Sequence, residues 1–255
     1  MSLNNQAILY FSLSANLIFI LLFSLFILKK WKRTSWRSLL KKSPRQNTYL
    51  TSHYQLKTNL FDKLPKSAYE IIFLGDSLTE QGEWVELLGN PHLKNRGISG
   101  DTTKGILKRL DKIVESHPLK IFLMIGINDF LNEEKKATHI ASNYQKILEK
   151  IKFNTPETQV FVQSLLPINK ENFKVKVDND HIIELNSKIQ ELSKLFSCQY
   201  VDLYKEFVNG HKQLDSQYTL DGVHLSGQGY LLWKKVIEKY IAKEVTSKVK
   251  SNQKS

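Results

Sequence analysis

Between residues 70 and 240, short apolar runs bounded by turn residues alternate with longer segments of helical period, and this alternation constrains the fold more than any other feature. The runs are Glu70–Leu74, a weaker one near Leu93–Arg96, Ile121–Ile125, Gln159–Gln163 and Gln199–Asp202. Between them, Ile106, Leu107, Leu110 and Ile113 recur at the i, i+1, i+4, i+7 spacing of an amphipathic helix. Ile140, Tyr144, Ile147, Leu148 and Ile151 repeat the pattern, as do Ile182, Ile183, Leu185, Ile189, Leu192 and Leu195. A last helix, over 226–240, carries Tyr230, Leu231, Trp233, Val236, Ile237 and Tyr240. Strands separated by helices are joined by right-handed crossovers, so the pattern predicts an α/β fold whose buried parallel sheet is covered by helices on both faces. In such sheets a ligand sits beyond the carboxyl ends of the strands. The residues that follow each run are therefore where chemistry is sought.

Gly75-Asp76-Ser77 follows the first run, and the second is followed by a stretch reading NRGISGDTT from Asn95 to Thr103. Gly126-Ile127-Asn128-Asp129 follows the third, and TLDGVHLS, from Thr219 to Ser226, precedes the last helix. A serine at a strand-to-helix junction is ordinarily a helix cap. Here the four blocks together also supply a nucleophile, a base, a carboxylate and donors for an oxyanion, the inventory of acyl transfer. A serine hydroxyl is a weak nucleophile until an imidazole takes its proton, and a carboxylate on the other ring nitrogen holds the imidazole in the right tautomer. Asp221 and His224 are three apart, so on one tight turn their side chains can lie side by side. The tetrahedral intermediate needs preorganised donors, and losing one costs about 3–4 kcal/mol of transition-state stabilisation. Glycine in the second block lets a backbone N–H approach the substrate, and Asn128 offers a side-chain amide for the same purpose. Asp76 and Asp129 read as acceptors that fix loops, and Asp101 with Thr102 and Thr103 as a helix cap and first turn. Arg96 reads as a surface residue or as a contact for an acidic group of the substrate.

GDSLT, NRGISGDTT, GIND and DGVHLS, in this order, resemble the four blocks of the SGNH hydrolases, also called the GDSL esterase/lipase family. The match covers roughly residues 68–242. By this resemblance Ser77 is the nucleophile, His224 the general base and Asp221 the orienting acid. The backbone N–H groups of Ser77 and Gly100 and the amide of Asn128 form the oxyanion hole. The resemblance also implies a flavodoxin-like three-layer α/β/α sandwich with a five-stranded parallel sheet, and neither a metal nor an organic cofactor. GISGDTT, followed by a helix with Leu107 and Leu110, is especially similar to the catalytic subunits of platelet-activating-factor acetylhydrolases and their bacterial relatives. The residue two after Ser77 is Thr79, so the Gly-x-Ser-x-Gly elbow of the α/β-hydrolases is absent. The expected activity is hydrolysis of carboxylic esters, short-acyl or lipid, through an acyl-serine intermediate. The alternatives are an O-acyltransferase using the same residues, and a non-catalytic membrane-tethered binding module on a hydrolase scaffold. The second of these expects a missing member of the tetrad, and none is missing.

Ahead of this domain, residues 7–28 form a 22-residue stretch without a charge. As a helix it is long enough to span a hydrocarbon core of about 30 Å. The leader MSLNNQ lacks a basic region and LKKWKR offers no small-residue cleavage site, so the stretch reads as an uncleaved single-pass anchor rather than a signal peptide. Residues 29–45 carry eight basic side chains and no acid. All lie C-terminal to the span, which places the domain on the cytoplasmic side, and the basic flank can itself lie on anionic headgroups. The formal charge of +12 is an end effect, because residues 46–242 retain only +1. A nucleic-acid partner is therefore not expected. The expected organisation is an anchor over 1–28, a basic juxtamembrane segment and linker over 29–67, the hydrolase domain over 68–242 and a disordered basic tail over 243–255. Cys198, the only cysteine, excludes an intrachain disulfide. His53, His92, His117, His139, His181 and His211 lack partners at metal-ligand spacing and read as surface or structural residues.

Overall fold

Five strands occupy the five apolar runs: β1 (Ile71–Gly75), β2 (Leu93–Gly97), β3 (Lys120–Met124), β4 (Gln159–Gln163) and β5 (Gln199–Val201). This computed structural model describes residues 51–171, 173 and 177–241, together with Ser24. The strands form one parallel sheet in the order β2-β1-β3-β4-β5, the order of flavodoxin-like folds. Every residue of β1 and β3 is buried, which is why these strands, Lys120 apart, run as continuous apolar stretches instead of alternating. The strand order reverses at β1, so its carboxyl end opens on the crevice between diverging connections. Ser77 lies two residues beyond that end.

Among the described residues from 51 to 241 the α-helices in chain order are α1 (Ser52–Lys63), α2 (Ser77–Glu80), α3 (Trp84–Leu88), α4 (Thr103–Val114), α5 (Ile127–Leu131), α6 (Ala137–Asn154), α7 (Asn179–Leu195), α8 (Tyr204–Phe207) and α9 (Gly227–Ile241). Because strand side chains alternate between faces, Ile72, Leu74, Ile121, Leu123, Val160 and Val162 pack against the apolar stripes of α4, α6 and α7. Ile71, Phe73, Phe122, Phe161 and Val201 face the other way, toward Trp84, Phe207, Trp233 and Ile237. The parallel register puts Phe73 beside Phe122 and Phe122 beside Phe161, and their rings stack at 4.9 and 4.5 Å. Trp84 stacks on Phe73 at 4.3 Å and meets Trp233 edge-on at 4.8 Å. Such contacts contribute about 0.5–1.5 kcal/mol each beyond area burial, and they clamp α3 and α9 to the sheet.

Two expectations are corrected. The segment over 29–67, read as a basic juxtamembrane segment and linker, contains α1. Thr51 caps this helix by accepting from the N–H of Tyr54. Tyr54 is buried, and its hydroxyl donates to the carbonyl of Gly105 at 2.7 Å. Arg96 is not on the surface. It is buried, with its guanidinium 4.9 Å from the centre of the Phe61 ring contributed by α1. Its Nη1 donates to the carbonyl of Asn95. The expected anchor over 7–28 lies outside the described residues apart from Ser24, as do the basic flank over 29–45 and the tail over 243–255. Among the described residues no helix is long and apolar enough to cross a membrane.

Candidate active site

The nucleophile candidate starts a very short helix. Asp76 is the N-cap of α2, its Oδ1 accepting from the N–H of Leu78 at 3.1 Å. Ser77 is the first helical residue, so its own N–H has no intrahelical acceptor. Ser77 Oγ lies 3.0 Å from His224 Nε2, and His224 Nδ1 lies 2.7 Å from Asp221 Oδ2. The acid and the imidazole are held locally. Asp221 Oδ1 accepts from the backbone N–H groups of Val223 and His224 at 2.9 and 2.8 Å, which locks the three-residue spacing into a turn. Burial opposes ionisation of Asp221, but the hydrogen bonds from the His224 ring and the two backbone groups outweigh it and hold the carboxyl below its ordinary range. The Tyr230 hydroxyl of α9 donates to the Leu78 carbonyl at 2.8 Å and ties the helix after the histidine to the helix that bears the serine.

The second and third blocks are joined by hydrogen bonds. Gly100 takes φ +78°, in the left-handed region. Glycine is therefore favoured there for its backbone conformation. The Asp101 carbonyl, next in sequence, accepts from Asn128 Nδ2 at 3.0 Å. That bond uses one amide proton of Asn128 and, among the described residues, leaves the second available. Asp129 accepts from both the N–H and the Oγ1 of Thr103, at 2.9 and 2.5 Å. Asp76 and Asp129 are thus loop-fixing acceptors, and Thr102 caps α4. Burial pushes the Asp129 carboxyl up to about 7, against the pull of the Thr103 bonds. It pushes Asp76 to about 7 as well.

Arg109, not singled out from the sequence, connects the first two blocks. Its Nε donates to Asp101 Oδ2 at 2.9 Å and its Nη2 to the Gly75 carbonyl at 3.2 Å. Both side chains of the pair are almost wholly buried. Burial raises the Asp101 carboxyl to about 6, with Arg109 opposing the rise. The available signal was a cation on the apolar face of α4, three residues after Ile106 and four before Ile113. Among the described residues no group of three or more His, Cys, Asp or Glu side chains is placed to hold a metal. His53 and His181 instead face Glu80 and Asp178.

Residues 73–232 match the model of the GDSL-like Lipase/Acylhydrolase family. Platelet-activating factor acetylhydrolase IB subunit alpha2 of Rattus norvegicus is 30% identical over 188 residues, covering 71% of this chain and 78% of the relative. The alpha1 subunit of the same species is 27% identical over 188 residues, with 71% and 77% covered. Among solved structures, a GDSL-like lipase from Bacteroides thetaiotaomicron superposes with a TM-score of 0.66 at 25% identity, covering 75% of this chain and 98% of that one. The chain belongs to the GDSL-like lipase/acylhydrolase family and is an ester-cleaving acylhydrolase.

Proposed function

We propose that the chain is a membrane-anchored serine esterase that hydrolyses carboxylic esters of short acyl chains, lipid esters included, through an acyl-Ser77 intermediate. The observation that carries this reading is the continuous chain from Ser77 Oγ to His224 Nε2 and from His224 Nδ1 to Asp221 Oδ2. As Oγ adds to the ester carbonyl carbon, His224 Nε2 takes the hydroxyl proton and the carbonyl electron pair moves onto oxygen. That oxyanion faces the N–H groups of Ser77 and Gly100 and the free amide proton of Asn128. Collapse breaks the ester C–O bond, and His224 returns its proton to the departing alkoxide. Water then repeats the sequence and releases the acid. Asp221 is held below its ordinary carboxyl range, so it stays ionised and keeps the imidazole proton on Nδ1.

The short-acyl preference is supported by the acetylhydrolase named among the relatives. The uncharged stretch 7–28 and the eight cations that follow it support a single-pass anchor with the domain on the cytoplasmic side, close to membrane esters. The test is a panel of esters of graded acyl length, with Ser77→Ala as blank. Turnover is expected to favour acetyl and propionyl esters and to fall by about 10⁶-fold in the variant. Turnover unchanged in Ser77→Ala refutes the mechanism, and a preference for long chains refutes the substrate class.

A further inference from the structure

We infer that Glu80 is a positioning residue for the oxyanion hole, clamping the turn that presents the Gly100 N–H, and that Lys57 of α1 holds the clamp closed. The inference rests on the roles given above to Ser77 and Gly100. Glu80 is the last residue of α2, the helix that Ser77 begins. Its Oε2 accepts from both the N–H and the Oγ of Ser99, at 2.6 and 2.5 Å, immediately before Gly100. Its Oε1 pairs with Lys57 Nζ at 2.7 Å, and His53 Nε2 stands 3.2 Å from Oε2. The Glu80 side chain is 15% exposed.

The backbone under the clamp is held as firmly. The two amide protons of Asn95 Nδ2 are shared among the carbonyls of Thr79, Glu80 and Gly82, at 3.0, 3.0 and 3.1 Å, and so close the carboxyl end of α2. Asn95 Oδ1 accepts from the N–H of Gly97 at 2.9 Å. A Cβ on Gly97 would sit 2.2 Å from the Glu80 nitrogen, so α2 lies directly on β2. A four-residue helix is about 6 Å long. One end carries the nucleophile and the other grips the residue before an oxyanion donor, so a single rigid piece sets the spacing between hydroxyl and donor. Donors act only when aimed at the oxyanion to within a fraction of an ångström. The clamp is therefore expected to matter in the transition state more than in ground-state binding. Burial opposes the Glu80 charge, but the bonds from Lys57, Ser99 and His53 hold its carboxyl down to about 2. The clamp is thus ionised throughout the range in which an imidazole base can work. Helix α1 precedes the four blocks yet belongs to the catalytic unit through this contact.

The test uses the full chain in detergent, with kcat and KM for p-nitrophenyl acetate and thermal unfolding measured for each variant. Glu80→Ala is expected to lower kcat about 10- to 100-fold with KM within about twofold, the mark of a misplaced group. Glu80→Gln keeps an acceptor for Ser99 and is expected to recover part of that loss. Lys57→Met lowers kcat less, and Lys57→Met/Glu80→Ala falls no further than Glu80→Ala, because Lys57 acts through Glu80. A folded Glu80→Ala with wild-type kcat, or a loss confined to KM, overturns the inference. If Glu80→Ala does not fold, wild-type kcat in both Glu80→Gln and Lys57→Met overturns it. Ser77→Ala run alongside separates the two levels. Turnover that survives in it defeats the Ser77 reading itself, whereas silent Ser77→Ala with unaffected Glu80 variants defeats only the clamp.

Discussion

Replacing Arg109 by methionine removes the buried cation that joins the loop after β1 to the loop after β2. The methionine keeps much of the apolar stem but leaves Asp101 without the partner at 2.9 Å and Gly75 without the donor at 3.2 Å. Side-chain exposures of 5% for Arg109 and 0% for Asp101 keep bulk water from the pair. Breaking one side of a buried ion pair costs about 3–5 kcal/mol, and an orphaned carbonyl adds about 1–3 kcal/mol. Two effects offset part of this. Arg109 Nη1 is itself buried without a hydrogen-bond partner among the described residues, so its removal relieves one unsatisfied donor. Asp101, whose carboxyl already stands at about 6, can also take up a proton. The expected net loss at pH 7 is about 3–5 kcal/mol, or about 6–20 °C in Tm for a domain of this size. Urea unfolding followed by circular dichroism measures it. The penalty should widen from pH 6 to pH 8, as keeping Asp101 protonated becomes harder. Adding Asp101→Asn should recover much of the loss, because asparagine retains an acceptor for the Thr102 N–H without the orphaned charge. A loss under about 1 kcal/mol, or a double variant no more stable than Arg109→Met, would refute the reasoning.

Asp221→Asn keeps the oxygen that accepts from Val223 and His224 but places an amide N–H₂ against His224 Nδ1. The ring is then driven to carry its proton on Nε2, facing Ser77, and kcat should fall about 10⁴-fold with Tm little changed; a loss below tenfold would contradict the assigned role. Stability should also depend on pH through the buried acids. Asp76 and Asp129, raised by burial to about 7, and Asp101, raised to about 6, hold protons in the folded state that the unfolded chain releases near pH 4. Their contribution is therefore fully present below about pH 4 and is lost as the pH rises through about 6–7. Urea titrations at pH 5, 6 and 7 should show falling stability, with a shallower slope in Asp76→Asn, and a rise across that range would count against the burial of these carboxylates.

The central strands were legible because each is short, largely apolar and followed by turn residues, and even the weak run near Leu93–Arg96 found its place at the sheet edge beside β1. Central parallel strands covered on both faces leave that signature in a sequence. The Asp221–His224 pair was legible for a different reason, since both bonds that set it are made within three residues. Helix α1 was not legible. It buries one side chain, Tyr54, while Leu56 and Leu60 stay exposed, so it shows no apolar stripe for a periodicity argument to find. Nor were Arg109, Glu80 and the burial of Arg96, whose partners are set by packing between elements.

The order of strands and helices and the chemical character of the residues after each strand were thus determined by the sequence alone, because hydrophobic period and turn chemistry are local properties. The four blocks had already paired Ser77 with His224, which the fold brings together across 147 positions; only the tertiary structure decided that Arg109 joins two loops, and that a helix ahead of the four blocks reaches the turn before Gly100 through Glu80. Those contacts depend on the sheet order and on helices docking against it. That information lies in the complementarity of surfaces distant along the chain, where no pattern in a single segment records it.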